Sequence, residues 1–329
     1  MTYAKVQCET HGTQHSIPGT EVLSSNNHSR EKLFMKARRT TLAGALFAAG
    51  AILAPAAGLC EDGDWPIYGK DYNNTRFSPL KQIDTENVGK LKLAYSFSLA
   101  SLRSNEDTPL VIGDTMYIAS SWGPKFVYAL DAATGERKWT YEPEIPDDVL
   151  QYGCCDVATR GVSYADGKIF VGRLDGKLTA LDAKTGKELW TSEVVDYQQG
   201  SIITSPPLVV KGKVISGFGG GEYGARGNLQ AFDAETGKQI WKTWLVPGPG
   251  EPGNDSWKGD SWQHGGAAAW LIGSYDPKTN LVLYGTSNPG PWNSVVRSTG
   301  NSDYGKLTNL SSSSTVALDA DTGQIKWYM

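Results

Sequence analysis

Residues Ala129–Trp139 read Ala-Leu-Asp-Ala-Ala-Thr-Gly-Glu-Arg-Lys-Trp, and the frame Ala-(Leu/Phe)-Asp-Ala-x-Thr-Gly-x-x-x-Trp returns without gaps at Ala180–Trp190, Ala231–Trp241 and Ala317–Trp327. The tryptophans are 51 (190 − 139), 51 (241 − 190) and 86 (327 − 241) residues apart. A fixed period in this range is typical of a propeller or a solenoid. The Asp can bond the backbone beyond it and the Gly can take a positive φ, so each copy predicts a tight turn between two strands.

Short segments before the repeats predict two more strands in each period, for example Lys168–Gly172 with Lys177–Ala180, and Lys213–Ser216 with Asn228–Ala231. Together with the two strands that flank the turn, they make four short strands per period. One copy of the turn would equally suit an ordinary β-hairpin with a buried tryptophan. Four gapless copies favour an all-β fold, a β-propeller of four-stranded blades that are docked through the repeat tryptophans.

The long third interval contains an insertion rich in Gly and Pro at Val246–Gly265, and a degenerate turn at Tyr275–Asn280. Strands are predicted on both sides of that turn, at Ala268–Ser274 and Leu281–Thr286. Gly219–Gly224 matches G-x-G-x-x-G, but a strand is predicted after it where a dinucleotide site requires a helix, which argues against NAD. Loops between blades are where we expect binding residues.

The N-terminal region differs from the rest of the chain. Met35–Arg39 is basic and Leu42–Leu53 is an apolar run shorter than the about 20 residues that span a bilayer, so residues 35–60 are predicted to be a signal peptide. Export to the periplasm follows from that prediction. Residues 1–34 precede the signal and are expected to be untranslated or disordered, whereas 61–329 are expected to form a partial propeller domain.

Composition excludes several function classes. The net charge is −4 and no Lys/Arg-rich block lies beyond the N-terminal region, which argues against a nucleic-acid partner. His264 is the only histidine after the predicted signal peptide, so a zinc site of several histidines is excluded. A Ser-His-Asp triad could use His264 alone.

Cys154 and Cys155 are adjacent and are the only cysteines after the predicted signal peptide. Neighbouring Cα atoms lie about 3.8 Å apart, whereas ordinary disulfides need roughly 4.4–6.8 Å. A disulfide between them would close a strained ring that persists only where a site needs it. The pair alone is equally compatible with two unlinked cysteines.

Three motifs occur in order with the repeats: Cys-Cys-x-x-x-x-Arg at Cys154–Arg160, Gly-Gly-Glu-Tyr-Gly-x-Arg-Gly at Gly220–Gly227, and Asn-Pro-Gly-Pro-Trp-Asn at Asn288–Asn293. Through these motifs and the repeats, the sequence resembles the pyrroloquinoline-quinone (PQQ) alcohol dehydrogenases of the methanol/ethanol type. The resemblance extends from Asp64 to Met329. The resemblance implies periplasmic oxidation of a small primary alcohol to an aldehyde, with electrons passed to cytochrome c. The oligomeric state stays open, with a homodimer among the options.

The resemblance also implies cofactor contacts for Glu106, Cys154, Cys155, Arg160, Thr204, Gly220, Gly221 and Trp270. A disulfide between the cysteines would lie against one face of the quinone and the Trp270 ring against the other. Arg160 would bind a PQQ carboxylate as a bidentate pair. The alternatives are a core tryptophan, a solvated arginine, a loop acid for Glu106 and an ordinary strand residue for Thr204.

Two further residues, Glu222 and Asn288, match the metal ligands of the family. Carboxylate and amide oxygens suit Ca²⁺, a hard cation. A lanthanide stays open as the alternative, since its extra carboxylate ligand would lie beyond Met329. Each residue taken alone would equally suit an ordinary glycine-rich loop or turn.

The sequence departs from the family at two places. Ala268 stands where the family usually has a threonine, so one cofactor hydrogen bond is expected to be missing. The catalytic aspartate of the family would lie beyond Met329, so no catalytic residue is assigned, and the chain is expected to be a truncated part of an eight-bladed ring. Two alternatives remain: a non-catalytic propeller scaffold for outer-membrane protein assembly, and an incomplete gene.

Overall fold

The computed structural model contains four antiparallel four-stranded sheets, each built from consecutive strands. It describes residues 2–7 (backbone only), 63–103, 105–120, 127–153, 156–298 and 307–329. The predicted signal peptide and Cys154–Cys155 lie outside the described residues. No helix among the described residues is long and apolar enough to cross a membrane.

The sheets follow the predicted period. Sheet 1 contains β3 (Leu110–Ile112), β4 (Thr115–Ala119), β5 (Val127–Asp131) and β6 (Arg137–Tyr141). Sheet 2 contains β7 (Ser163–Ala165), β8 (Lys168–Gly172), β9 (Lys177–Asp182) and β10 (Glu188–Glu193). Sheet 3 contains β11 (Leu208–Val210), β12 (Lys213–Ser216), β13 (Asn228–Asp233) and β14 (Gln239–Trp244). Sheet 4 contains β15 (Ser274–Asp276), β16 (Leu281–Gly285), β17 (Thr315–Asp319) and β18 (Ile325–Tyr328).

Elements outside the four sheets are few among the described residues. Strand β1 (Thr2–Gln7) pairs antiparallel with β2 (Lys92–Ser98). The α-helices are single turns, α1 (Val149–Tyr152) and α2 (Ser294–Arg297). The remaining helical segments are 3₁₀ turns at Val88–Lys90, Tyr197–Gln199, Gly221–Tyr223, Asn254–Ser256 and Ser261–His264.

The repeat forms the predicted turn in every sheet, where it joins the third strand to the fourth. In the first copy, Asp131 Oδ1 accepts hydrogen bonds from the backbone N–H of Ala133 (2.9 Å) and of Thr134 (2.8 Å). Gly135 then takes a φ of +75°. The equivalent bonds recur at Asp182, Asp233 and Asp319. The turn chemistry predicted from the sequence is confirmed.

Each repeat tryptophan of sheets 1, 2 and 3 docks on the repeat of the next sheet. Its indole N–H donates to the carbonyl of the second alanine of that repeat, and its ring covers the repeat glycine. A Cβ added at Gly186 would lie 2.6 Å from the Trp139 ring, so only glycine fits. The Nε1–O distances are 3.0 Å for Trp139–Ala183, 3.1 Å for Trp190–Ala234 and 3.3 Å for Trp241–Ala320.

Sheet 1 receives a tyrosine in place of this tryptophan. Tyr95 of β2 donates its hydroxyl to the carbonyl of Ala132 (3.2 Å), and a Cβ at Gly135 would lie 2.3 Å from its ring. Strand β2 therefore docks on the repeat turn of sheet 1 in the same way that β6 docks on the repeat turn of sheet 2. Trp327 of β18 is 41% exposed, in contrast to 8% for Trp241.

Buried apolar side chains fill the space between neighbouring sheets. One core cluster joins sheets 1 and 2 and includes Leu110 and Ile169. A second joins sheets 2 and 3 through Phe170 and Phe232, and a third joins sheets 3 and 4. Face-to-face sheets with a core at each junction are the architecture of a propeller segment, as predicted. The eight-blade count stays a prediction.

The meander order gives each sheet two different ends. We call one end the loop end: there the first strand of each sheet begins, and there a loop connects the second strand to the third. The repeat turns lie at the opposite end, the turn end, beside the hairpins between first and second strands. Ala183 N, for example, donates to Gly167 O of such a hairpin (2.9 Å), and Ala234 N to Gly212 O (2.9 Å).

The predicted strand at Ala268–Ser274 is wrong, because β15 begins only at Ser274. Ala267 has a φ of +53°, which no regular strand allows. Ala268 instead uses both backbone groups on Ser287: its N–H donates to Ser287 Oγ (3.0 Å) and its carbonyl accepts from Ser287 N–H (2.9 Å). The second predicted strand is confirmed within one residue as β16.

Candidate functional site

Backbone hydrogen bonds join the loops at the loop end into one continuous surface. Glu106 N–H donates to Thr159 O (3.2 Å) and Arg160 N–H to Thr204 O (2.9 Å). Farther along the chain, Gly227 N–H donates to Gly266 O (2.7 Å), and Ala267 N–H donates to Asn288 O (3.0 Å). Segments far apart in sequence are thereby held side by side before any cofactor contact is considered.

Four of the predicted cofactor residues occupy equivalent places in four sheets. Glu106, Arg160, Thr204 and Trp270 each lie shortly before the first strand of their sheet, which begins at residue 110, 163, 208 and 274, respectively. Because the first strands all start at the loop end, the meander brings these side chains to the same end of the molecule.

Arg160 is the centre of this group. Its Nη2 lies 2.5 Å from Glu106 Oε2, its Nη1 donates to Thr204 Oγ1 (3.0 Å), and its guanidinium lies 4.9 Å from the centroid of the Trp270 ring. The Arg160 side chain is mostly buried, whereas the Glu106 side chain is about half exposed. The alternative of a solvated surface arginine is therefore wrong, and Trp270, 39% exposed, is not a blade-core tryptophan.

Asp107, next to Glu106, is a partly exposed residue whose carboxyl group is buried, and the sequence does not single it out. Its Oδ2 accepts from Ala119 N–H (3.0 Å), and Gly161 approaches Oδ1 so closely that a Cβ there would lie 2.1 Å away. Burial raises the pKa of Asp107 to about 8. Its only sequence signal is the adjacent pair of acids before a strand, a pattern that is usually solvent-exposed.

The glycines before Glu222 make a tight backbone bend. Gly220 has a φ of +112°, and a Cβ there would lie 2.0 Å from Gly200 O. Gly221 is buried, with Ser287 Oγ 2.9 Å from the position of an added Cβ. Glu222 follows in the 3₁₀ turn and is exposed. A side chain at either glycine would be strained or crowded, so this segment requires glycine.

Asn288 belongs to the segment that packs on this turn. Its neighbour Ser287 contacts Gly221, and Gly290 approaches Gly221 O so closely that a Cβ would lie 2.7 Å away. The Asn288 amide nitrogen donates to Pro289 O (3.1 Å), so the amide oxygen keeps its acceptor capacity. Glu222 and Asn288 therefore stand on two touching segments, and both offer oxygen ligands of the kind that a hard cation prefers.

Among the described residues, no cluster of three or more His, Cys, Asp or Glu side chains could hold a metal ion. The predicted ligand pair contributes one carboxylate and one amide. Cys154 and Cys155 lie outside the described residues, so their disulfide and their place against the cofactor stay predictions. The flanking residues are described: Gly153 contacts Ile202, and Asp156 pairs with Arg103.

Comparisons with known proteins identify the family. A family model described as glucose/ethanol/alcohol dehydrogenase, β-propeller domain (PQQ) matches residues 65–329. The dehydrogenase subunit of the quinone-type alcohol dehydrogenase of Gluconobacter oxydans is 43% identical over 288 residues, 81% of this chain and 37% of that protein. The lanthanide-dependent methanol dehydrogenase of Methylacidiphilum fumariolicum is 42% identical, covering 81% of this chain and 46% of that protein.

A solved structure agrees. The quinohemoprotein alcohol dehydrogenase of Comamonas testosteroni superimposes with a TM-score of 0.75 at 44% identity, over 81% of this chain and 41% of that one. The chain spans less than half the length of these relatives. The tryptophan-docked sheets define a propeller-type domain, and the polar cluster at their loop end is its candidate binding site. The chain belongs to the PQQ β-propeller family of the glucose, ethanol and alcohol dehydrogenases.

Proposed function

We propose that this chain provides a PQQ site of a periplasmic alcohol dehydrogenase that oxidises a primary alcohol to an aldehyde and passes the electrons to cytochrome c. The observation that carries the proposal is the Arg160 cluster. Three side chains from the segments before sheets 1, 3 and 4 converge there on the guanidinium of Arg160, which precedes sheet 2: Glu106, Thr204 and Trp270. A packing role requires no such convergence of an arginine, an acid, a hydroxyl and a half-exposed tryptophan.

The residues present fit a flat, anionic cofactor. Arg160 offers a guanidinium whose orientation is held by Glu106 and Thr204, and such a fork suits a carboxylate. Trp270 offers an exposed aromatic surface for stacking. Gly220 and Gly221 leave the backbone open to close approach. When bound, PQQ would take up the two electrons of the alcohol, and a cation at its carbonyl would act as a Lewis acid.

Glu222 and Asn288 would hold that cation. Their oxygens suit Ca²⁺, and one relative is lanthanide-dependent by name, so a lanthanide is the alternative ion. The described residues provide two ligands, which leaves coordination positions for the cofactor itself and for further groups. The role of the catalytic base is assigned to no residue of this chain.

The electron acceptor is inferred from the relatives. Several are quinohemoproteins by name, which supports a cytochrome-type acceptor for the proposed reaction. Location in the periplasm rests on the predicted signal peptide at 35–60. The substrate stays at the level of a small primary alcohol, since no pocket residue for its carbon chain is assigned.

The test is PQQ binding to the chain as given, measured by quenching of tryptophan fluorescence with and without Ca²⁺. We expect saturable quenching that Ca²⁺ strengthens. Arg160→Met should weaken PQQ binding by about tenfold or more, because a charge-assisted hydrogen bond contributes about 1.5–3 kcal/mol. Glu222→Gln should remove the Ca²⁺ dependence, whereas Glu136→Gln, an exposed repeat-turn glutamate, should change neither.

Absence of saturable quenching would contradict the proposal and favour the non-catalytic scaffold. Quenching that is equal in the parent chain, Arg160→Met and Glu222→Gln would mean that PQQ binds elsewhere. A titration with La³⁺ in place of Ca²⁺ distinguishes the two candidate ions.

A further inference from the structure

A cavity of about 830 Å³ in the described part of the chain is lined by neither Arg160 nor Trp270. It opens between the loop at Asp196–Gly200 and the outer strand β14 of sheet 3. Its volume is within the range of about 300–1,000 Å³ that holds small organic ligands. The cofactor site proposed above leaves this cavity unassigned.

One wall of the cavity is an alternating stack of aromatic and cationic side chains. The guanidinium of Arg226 lies 4.7 Å from the centroid of the Trp262 ring and 4.4 Å from that of the Trp244 ring. Lys242 Nζ lies 4.4 Å from the Trp244 centroid. We call Trp262, Arg226, Trp244 and Lys242 the cation–aromatic stack. Two cations on one indole repel each other, so the arrangement favours a nearby anion.

The two cations differ in their partners. Arg226 donates from Nε and Nη2 to Val246 O (2.9 and 2.7 Å) and pairs with Glu251 at 3.4 Å. Lys242 makes no ion pair with any residue that the structure describes. The Lys242 residue is exposed, but partial desolvation of its ammonium, with the charge of Arg226 second, lowers its pKa. The ammonium is therefore the charge in this wall that still lacks an acidic partner.

The acid in the opposite wall does not fill that role. Asp196 Oδ1 accepts from Gln198 N–H (3.0 Å), and its Oδ2 accepts from the Gln199 side-chain amide (3.2 Å). Both oxygens are thus used within their own loop. His264 Nδ1 lies 3.1 Å from Gly224 O, so the ring is also tied to its neighbourhood.

Aromatic side chains make up much of the remaining surface. Tyr223 is 56% exposed and Trp244 38% exposed, and both line the cavity together with Tyr152 and Trp262. Half-exposed aromatic rings beside a cation are a surface on which a flat, apolar body can stack while its charged end meets the ammonium. A fully hydrated inorganic anion would leave these rings unused.

We propose that this cavity binds a small organic carboxylate with a flat apolar body, whose carboxylate pairs with Lys242 and whose body lies among the aromatic rings. The site is separate from the proposed PQQ site, although Tyr223 stands in the same 3₁₀ turn as Glu222. The inference does not depend on quinone binding or on alcohol oxidation.

The test is a calorimetric titration of the chain, without PQQ or Ca²⁺, with benzoate, benzamide and inorganic phosphate. Benzoate should bind measurably, and benzamide, its neutral counterpart, should bind at least about tenfold more weakly because it lacks the ion pair. Lys242→Met should weaken benzoate binding by about the same factor, and Lys242→Arg should retain most of it. Lys184→Met removes an exposed repeat-turn lysine and should have no effect.

Several outcomes would overturn the proposal. These are no benzoate binding, equal affinity for benzoate and benzamide, equal weakening in Lys242→Met and Lys184→Met, or phosphate binding at Lys242 at least as tight as benzoate binding. The Lys242 and Lys184 variants should unfold at the same denaturant concentration as the parent chain, so that a binding loss is not a folding loss.

Discussion

The two ends of the sheets are built by different rules. At the turn end, one eleven-residue pattern is repeated four times, and each copy has an aspartate that accepts from the turn backbone and a glycine at positive φ. The tryptophans of the first three copies donate to the next sheet. At the loop end, each segment is different, and side chains from the segments before sheets 1, 3 and 4 converge on Arg160, which precedes sheet 2.

The aspartates show the difference most clearly. At the turn end, hydrogen bonds from Thr185 lower the pKa of Asp182, and the corresponding threonine does so for Asp233. At the loop end, burial raises the pKa of Asp107 to about 8. The turn end stabilises charge and serves folding. The loop end contains an acid whose charged form is disfavoured. Acids with such shifted pKa values are found mainly at sites of binding and chemistry.

The largest effect is expected at a turn-end tryptophan. Trp241→Ala should lower the free energy of unfolding by about 3–5 kcal/mol, because a buried indole is lost from the core between sheets 3 and 4. Trp292→Ala, at a loop-end tryptophan that is 70% exposed, is the control and should stay within about 0.5 kcal/mol. Urea unfolding measures both, and similar losses would remove the distinction between the ends.

A smaller effect of opposite sign, a gain in the free energy of unfolding, is expected when Asp107 is replaced. The unfolded carboxyl loses its proton above about pH 4, whereas the folded one keeps it until about pH 8, so the parent chain should become less stable as the pH rises between these values. Asp107→Asn removes this titration. The variant should gain about 1–3 kcal/mol on the parent between pH 5 and pH 8. Parallel pH profiles in urea unfolding would contradict a buried, protonated Asp107.

A matched pair of glycines isolates the docking contact. Gly237 and Gly212 both have a φ of +70°, but a Cβ at Gly237 would lie 2.6 Å from the Trp190 ring, whereas nothing lies within 4 Å at Gly212. Both alanine substitutions introduce the same backbone strain. Gly237→Ala should cost about 1–3 kcal/mol more than Gly212→Ala, as overpacking does. Equal costs in thermal unfolding would show that the indole moves aside freely.

The smallest effect concerns the repeat aspartates. Side-chain and backbone hydrogen bonds from Thr185 lower the pKa of Asp182, so its contribution to stability is present above about pH 4 and is lost as the pH falls below that value. Asp182→Asn should cost less than about 1 kcal/mol at pH 7, because water screens this exposed turn, and should cost less still at pH 3. A growing cost toward low pH would reverse the assigned sign.

Much of the turn end could be predicted from the sequence, because its contacts are local or recur at a fixed period. Asp131 and Gly135 act within one turn, and Trp139 contacts Ala183 of the next repeat, which is offset from its own repeat by the fixed period of 51 residues. Tyr95 escaped prediction because a tyrosine does not match the pattern, although it makes the equivalent hydrogen bond. The sequence predicts a strand at Ala268–Ser274, because the hydrogen bonds between Ala268 and Ser287 leave no local signal.

The loop end was predicted only through family resemblance. Nothing local in the sequence indicates that Glu106 meets Arg160, or that Arg160 lies over Trp270, 110 residues farther along (270 − 160). The physical reason is that each contact is made once and depends on how the sheets are arranged. Asp107 and the cavity at Lys242 carry no motif, so only the packed structure reveals them.

The tyrosine at the first junction has an optical consequence. Three junctions between sheets each contain an indole, whereas the junction of β2 with sheet 1 contains the phenol of Tyr95. Excitation that selects indole therefore reports on the later junctions and is blind to this one. Detachment of β2 would leave tryptophan emission from the docked rings unchanged. An unfolding curve monitored by that emission would therefore count a chain as fully folded even after β2 has separated.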